Sequence, residues 1–146
     1  MGGWAEEVFW SKLQTGLLLQ HMGLPNRVVQ EAFLDAYAYR PHRVEPVYYL
    51  AEAWNREENY EKAYQFLKGA AKIAKPDQKD SLFNMDWMER YGILFQLSIA
   101  SYYAGHYEES IKCCDELLKM QELPESWKEQ TIANREFPAQ KLQAAE

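Results

Sequence analysis

The sequence predicts an all-α fold, a right-handed α-α superhelix of about three helix pairs closed by a capping helix. Three observations carry that expectation: small and aromatic residues recur in one register, turn signals separate helical stretches, and large side chains are plentiful. At 146 residues the chain fits a single domain, able to bury roughly two-thirds of its unfolded surface. Apolar residues make up 47% and charged residues 26%, the balance of an ordinary globular protein. Ten tyrosines and five tryptophans need packing partners, which argues against disorder over most of the chain.

The clearest unit is Leu50-Ala51-x-x-Trp54 followed by Asn59-Tyr60-x-x-Ala63-x-x-x-Leu67-x-x-Ala70, with Val47 in the opening position. Glu58 stands where such a unit usually carries an inter-helix glycine. A second copy reads Leu94-x-x-Leu97-Ser98, then Tyr102-Tyr103-Ala104-Gly105-His106-Tyr107, then Ser110-x-x-x-Cys114-x-x-Leu117. Tyr60 and Tyr107, Leu50 and Leu97, Ala63 and Ser110, and Ala70 and Leu117 are each 47 positions apart. That distance is one 34-residue unit with an insertion of 13 residues around 76–88. A weaker copy comes first. Its opening helix is expected over about 4–22, stopped by Gly23-Leu24-Pro25, with Asn26 as the next N-cap. Gly16-Leu17 stands in the place of the Leu50-Ala51 pair, Val29 in that of Ala63, and Phe33-x-x-Ala36 closes the unit.

These motifs resemble the tetratricopeptide repeat, in which two antiparallel helices bury their faces by stacking on the next pair. The resemblance implies units at about 4–43, 44–78 and 86–122. Small residues such as Ala51, Ala63 and Ala70 sit where helix axes approach closely, and aromatic rings fill the wider gaps. Residues 76–81 read as a loop. Asp86-Trp87-Met88-Glu89 has the form of a capping box that starts a helix to about Ala104. Pro124 introduces a capping helix over 125–135, and Pro138 is expected to close it. The domain then spans 1–138, with 139–146 a frayed tail.

The net charge of −6 and the lack of a Lys/Arg cluster argue against nucleic acid as a partner. No apolar run approaches the roughly 20 residues a membrane crossing needs, so no membrane insertion is expected. The first residues lack a signal-peptide layout, Glu6 breaks a myristoylation pattern, and no Asn-x-Ser/Thr sequon occurs. Cys113 and Cys114 are neighbours on a predicted helix, where adjacent side chains point apart, and read as reduced packing thiols. A cytoplasmic location is expected.

No catalytic constellation, metal site or cofactor motif emerges. His21, His42 and His106 lack partners at metal-ligand spacing, and no phosphate loop, nucleophile elbow or Asp-x-Asp pair occurs. Glu6-Glu7, Glu57-Glu58 and Glu108-Glu109 read as solvated surface, because adjacent residues do not converge on one atom. His106 fills the polar turn place between helices. The repeat register instead points to a concave groove. It places Gln14, Leu18 and His21 there from the first unit, Tyr48, Glu52 and Asn55 from the second, and Phe95, Ile99 and Tyr102 from the third. These nine either form a peptide-binding surface or pack against an additional helix or a neighbouring domain. Chaperone-adaptor domains of this family grip a carboxylate with Lys and Asn here. Gln14, Leu18, Tyr48 and Glu52 occupy those places, so that clamp is not expected.

Two segments resemble a narrower group. Arg40-Pro-His-Arg43-Val-Glu45-Pro46-Val-Tyr-Tyr-Leu50-Ala51 is one, and Asp80-Ser-Leu-Phe83 followed by Leu97-Ser-Ile-Ala-Ser-Tyr-Tyr-Ala-Gly105-His-Tyr-Glu-Glu-Ser110 is the other. Both are similar to the tetratricopeptide region attached to certain family-2-type glycosyltransferases. The resemblance covers about 36–134 and transfers no catalytic residue, since the sugar-nucleotide domain of that family is not in this sequence. It implies an association with a glycosyltransferase domain or a glycan. Within the turn, Arg43 and Glu45 are expected to pair. The leading expectation is a non-catalytic scaffold binding a protein or peptide in the groove. The alternative is an accessory domain that supports a glycosyltransferase or its glycan acceptor.

Overall fold

A computed structural model describes residues 2–73 and 87–145, and every regular element in it is helical. The elements are α1 (Gly2–His21), α2 (Asn26–Tyr39), α3 (Glu45–Arg56), α4 (Tyr60–Ile73), α5 (Ile93–Tyr103), α6 (Tyr107–Leu118) and α7 (Glu125–Ala145). A π-helical turn, Met88–Gly92, leads into α5. The loop expected at 76–81, the Asp86 cap and the Asp80-Ser-Leu-Phe83 motif lie outside the described residues. Each helix packs on the next in chain order, and α5 also touches α3 and α7.

The three hairpins α1–α2, α3–α4 and α5–α6 share one backbone device. In each, a residue with positive φ follows the first helix: Gly23 at 74°, Glu58 at 61° and Gly105 at 89°. The next amide then reaches back five residues. Leu24 N–H donates to the Leu19 carbonyl (3.2 Å), Asn59 to Trp54 (2.8 Å) and His106 to Ser101 (2.8 Å). The positive-φ residue itself donates to Gln20 (3.1 Å), Asn55 (3.0 Å) or Tyr102 (3.1 Å). This pair of bonds is the Schellman closure, which satisfies helix-end carbonyls and reverses the chain. Glu58 thus performs the glycine's task with a Cβ in the left-handed region.

Of the four pairs 47 positions apart, Leu50 and Leu97, Ala63 and Ser110, and Ala70 and Leu117 are buried, while Tyr60 and Tyr107 are half-buried. Where α5 and α6 approach, Ser110 Oγ donates to the Ser98 carbonyl at 2.7 Å, so the small residue there also satisfies a backbone acceptor. Asn26 does not cap α2, because Pro25 holds that position. Instead Asn26 Nδ2 donates to the Ala53 carbonyl at 3.0 Å and ties the start of α2 to α3.

One buried ionic cluster locks the corner between α2 and α3 to α1. Arg43 is 1% exposed and bonds Glu6 through Nη1 at 2.5 Å. It bonds Glu45 through Nη2 and, at 3.2 Å, through Nε. Its guanidinium also lies 4.5 Å over the Phe9 ring, and Arg40 Nη1 reaches Glu6 at 3.3 Å. Burial disfavours the Arg43 charge, but the hydrogen bonds to Glu6 and Glu45 outweigh it and hold its pKa above the ordinary value. Glu6, expected on a solvated surface, is 1% exposed; α1 turns it inward to meet Arg43. The expected Arg43–Glu45 pair is present.

The last helix departs from expectation. α7 does not end near residue 135 but continues to Ala145, with Pro138 inside it. Pro138 removes one helical donor at a cost of about 3 kcal/mol, and burial of its ring offsets part of that. The segment expected as a frayed tail is helical as far as Ala145. Arg135 also anchors α7 to Asp115 on α6 at 2.7 Å.

Two measurements check these features. Glu58→Gly relieves a left-handed non-glycine residue and is expected to stabilise the fold by about 0.5–1 kcal/mol in a urea melt. Arg43→Ala strands two buried carboxylates and is expected to destabilise by about 3–5 kcal/mol in the same assay.

Candidate functional site

α5 is apolar around its whole circumference, as a helix covered on several sides must be. Its outer cover is α7. Trp127 on α7 meets Phe95 (ring centroids 4.7 Å), Tyr91 (5.2 Å) and Trp87 (5.9 Å). Trp87 in turn meets Tyr48 edge-on at 5.2 Å. Ten residues further along α7, Phe137 lies 5.9 Å from Tyr102.

Between these two aromatic contacts is a cavity of about 370 Å³. Phe95, Ser98, Ile99, Tyr102 and Tyr103 line it from α5, and Gln130, Asn134 and Phe137 from α7. No charged side chain is among them. Gln130 Nε2 donates to Asn134 Oδ1 at 2.8 Å, one helical turn on. The bond is exposed at the rim of the cavity, and both amides keep further donors and acceptors. Ser98 Oγ is turned to the Phe95 carbonyl at 2.7 Å. Phe137 is 53% exposed and forms part of the mouth.

Of the nine groove residues read from the repeat register, Phe95, Ile99 and Tyr102 come together in this cavity. Phe95 and Tyr102 also meet rings on α7. Tyr48 is buried beneath Trp87, while Glu52 and Asn55 are half-buried on α3. Gln14, Leu18 and His21 are exposed on α1. The register gave no warning of Gln130, Asn134 or Phe137. A signal was present nonetheless, since Trp127, Thr131, Asn134 and Pro138 recur at four-, three- and four-residue steps on one helical face.

Burial also sets the titration of nearby groups. Tyr48 is raised by burial, opposed by a hydrogen bond with Gln96, and Tyr49 is pushed up to about 12, chiefly by burial and then by Glu52. Burial raises Glu52 as well, with Arg56 pulling the other way. Cys113 is pushed up to about 12 and Cys114 upward by burial, so both stay protonated thiols rather than nucleophiles. Among the described residues no group of three or more His, Cys, Asp or Glu side chains is placed to hold a metal ion. No helix among them is long and apolar enough to cross a membrane.

No protein-family model, curated protein or solved structure matches this chain.

Glu52 supplies a pH test. Its folded pKa lies above its unfolded one, so the folded state holds the extra proton between the two values. Its contribution to stability is therefore greatest in acid and falls as pH rises through that window. Glu52→Gln is expected to be more stable than the parent at pH 7, with the difference vanishing below about pH 4 in paired urea melts.

Proposed function

We propose that this chain is a tetratricopeptide-like, non-catalytic binding module whose partner seats where α5 meets α7. The observation that carries the reading is the cavity of about 370 Å³, lined by aromatic rings and uncharged side chains with an amide pair at its rim. Three hairpins closed by the same left-handed turn support the repeat architecture, as does the shared burial of residues 47 positions apart. The exposed ring of Phe137 offers apolar surface at the mouth.

Of the residues behind the resemblance to glycosyltransferase-attached repeats, Arg40 bonds Glu6, and Arg43 and Glu45 are buried on Glu6 and on each other. They support a shared corner between helix pairs and offer no contact to a glycan.

The test is capture from host extract with the full chain as bait, comparing the parent with Phe137→Glu and with the exposed control Glu7→Gln. Phe137→Glu is expected to deplete the captured partner about tenfold or more, a loss of roughly 1.4 kcal/mol, with helicity unchanged by circular dichroism. Glu7→Gln is expected to retain it. Equal capture by all three would overturn the α5–α7 site.

A further inference from the structure

The binding-module reading leaves open what holds the α7 wall of the cavity in place. We infer that the π turn Met88–Gly92 is its mount: the turn sets Trp87, Tyr91 and Phe95 in one line, and that line seats Trp127 of α7. The inference rests on the proposed site and names the device that positions one wall of it.

Winding is the first argument. Trp87, Tyr91 and Phe95 follow one another at steps of four residues, and their rings lie 5.9, 5.2 and 4.7 Å from that of Trp127. An α-helix turns about 100° per residue, so each such step drifts by about 40° and two steps by about 80°. Three rings drifting that far would fan around the helix. A π turn closes its hydrogen bond over five residues, as the Ile93 N–H does on the Met88 carbonyl. Its wider ring winds less per residue and takes back drift over the first step. The three rings then share one stripe, and a single tryptophan on α7 touches all of them.

The glycine that closes the turn belongs to the same device. The Trp87 ring folds back over Gly92, where a Cβ would sit 3.0 Å from two ring carbons. The ring has little room to retreat. Tyr48 meets it edge-on at 5.2 Å, Trp127 lies at 5.9 Å and Tyr91 at 6.3 Å. Trp87 is therefore wedged between α3 and α7. The turn's extra length leaves the core undisturbed, because Arg90 at its middle is exposed while Met88 and Gly92 are buried. Further along α7 the anchors are different, with Arg135 bonded to Asp115 and Phe137 beside Tyr102. The mount thus governs the first turns of α7, where Trp127 leads into Gln130 at the cavity.

The test is amide hydrogen exchange on the full chain, resolved by NMR, for the parent and three variants. Removal of Arg90 returns the turn to α-helical winding, Gly92→Ala sets a Cβ against Trp87, and Trp127→Ala takes away the seated ring. In all three, amides 129–132 are expected to exchange about tenfold faster or more, while those of α3 and α4 keep their parent rates. In the first two the indole signal of Trp127 is also expected to move, which a general loss of stability would not single out. Parent-like exchange at 129–132 in any two variants, or acceleration spread evenly over every helix in all three, would overturn the inference. The two readings fail separately. Protected 129–132 beside Phe137-dependent capture would remove the mount and leave the binding site. Accelerated 129–132 beside capture indifferent to Phe137→Glu would leave the mount and remove the site.

Discussion

Every helix pair in this chain hinges on one residue in the left-handed region, and the positions of the other residues follow from that constraint. A Schellman closure fixes where the first helix stops and sends the second back against it, so distance from the turn sets which side chains meet. Seven positions before Gly23, Glu58 and Gly105 stand Gly16, Ala51 and Ser98, all buried. At Gly16 the reason is geometric, since a Cβ there would sit 2.5 Å from the Phe33 ring. Larger residues at these three places would push the paired helices apart, which explains why small side chains recur there when the rest of the pattern has drifted.

The turns organise each pair, but they do not hold one pair to the next. Between the first two pairs Arg43 shares that work with the Asn26–Ala53 bond and the Phe33–Tyr49 stack. Its guanidinium has donors enough to bridge Glu6 on α1 and Glu45 on α3, and Phe9 covers its face. Arg40 adds a second positive charge toward Glu6. Paired and hydrogen-bonded charges can be buried where a lone charge could not. The arrangement specifies a particular seating of α1 rather than simply adding stability. That matters for a helix apolar on most sides, with Trp4 70% exposed and Leu18 and Met22 also open to solvent.

Most of the helices were legible in the sequence because small residues and aromatics recurred at one spacing. The first unit looked degenerate for a reason visible in the turns. Before the turn, its residues match the second unit at 35 positions, as Gly23 does Glu58. After the turn they match at 34, as Val29 does Ala63. The connection through Leu24 and Pro25 therefore carries one extra residue, which no single register can absorb. Glu6 was misread because a carboxylate beside another carboxylate looks solvated until its partner is known, and Arg43 stands 37 positions away. The candidate site was half legible. Phe95, Ile99 and Tyr102 came from the repeat register, but α7 follows no repeat, and Pro138 masked its length by the usual rule that proline ends a helix.

That last helix explains why the cavity exists at all. α7 presses a large ring on α5 at each end, Trp127 on Phe95 and Phe137 near Tyr102. Between them it presents Gln130, Thr131 and Asn134. Thr131 is spent on its own helix, with Oγ1 donating to the Trp127 carbonyl at 2.7 Å. Gln130 is exposed and Asn134 half-buried, so this stretch of α7 runs along the solvent edge of α5 rather than over its centre. Polar side chains are what such an edge carries, and the two amides bond each other at the rim of the cavity. Trp127 and Phe137 both contact α5, and the residues between them form one wall of the candidate site.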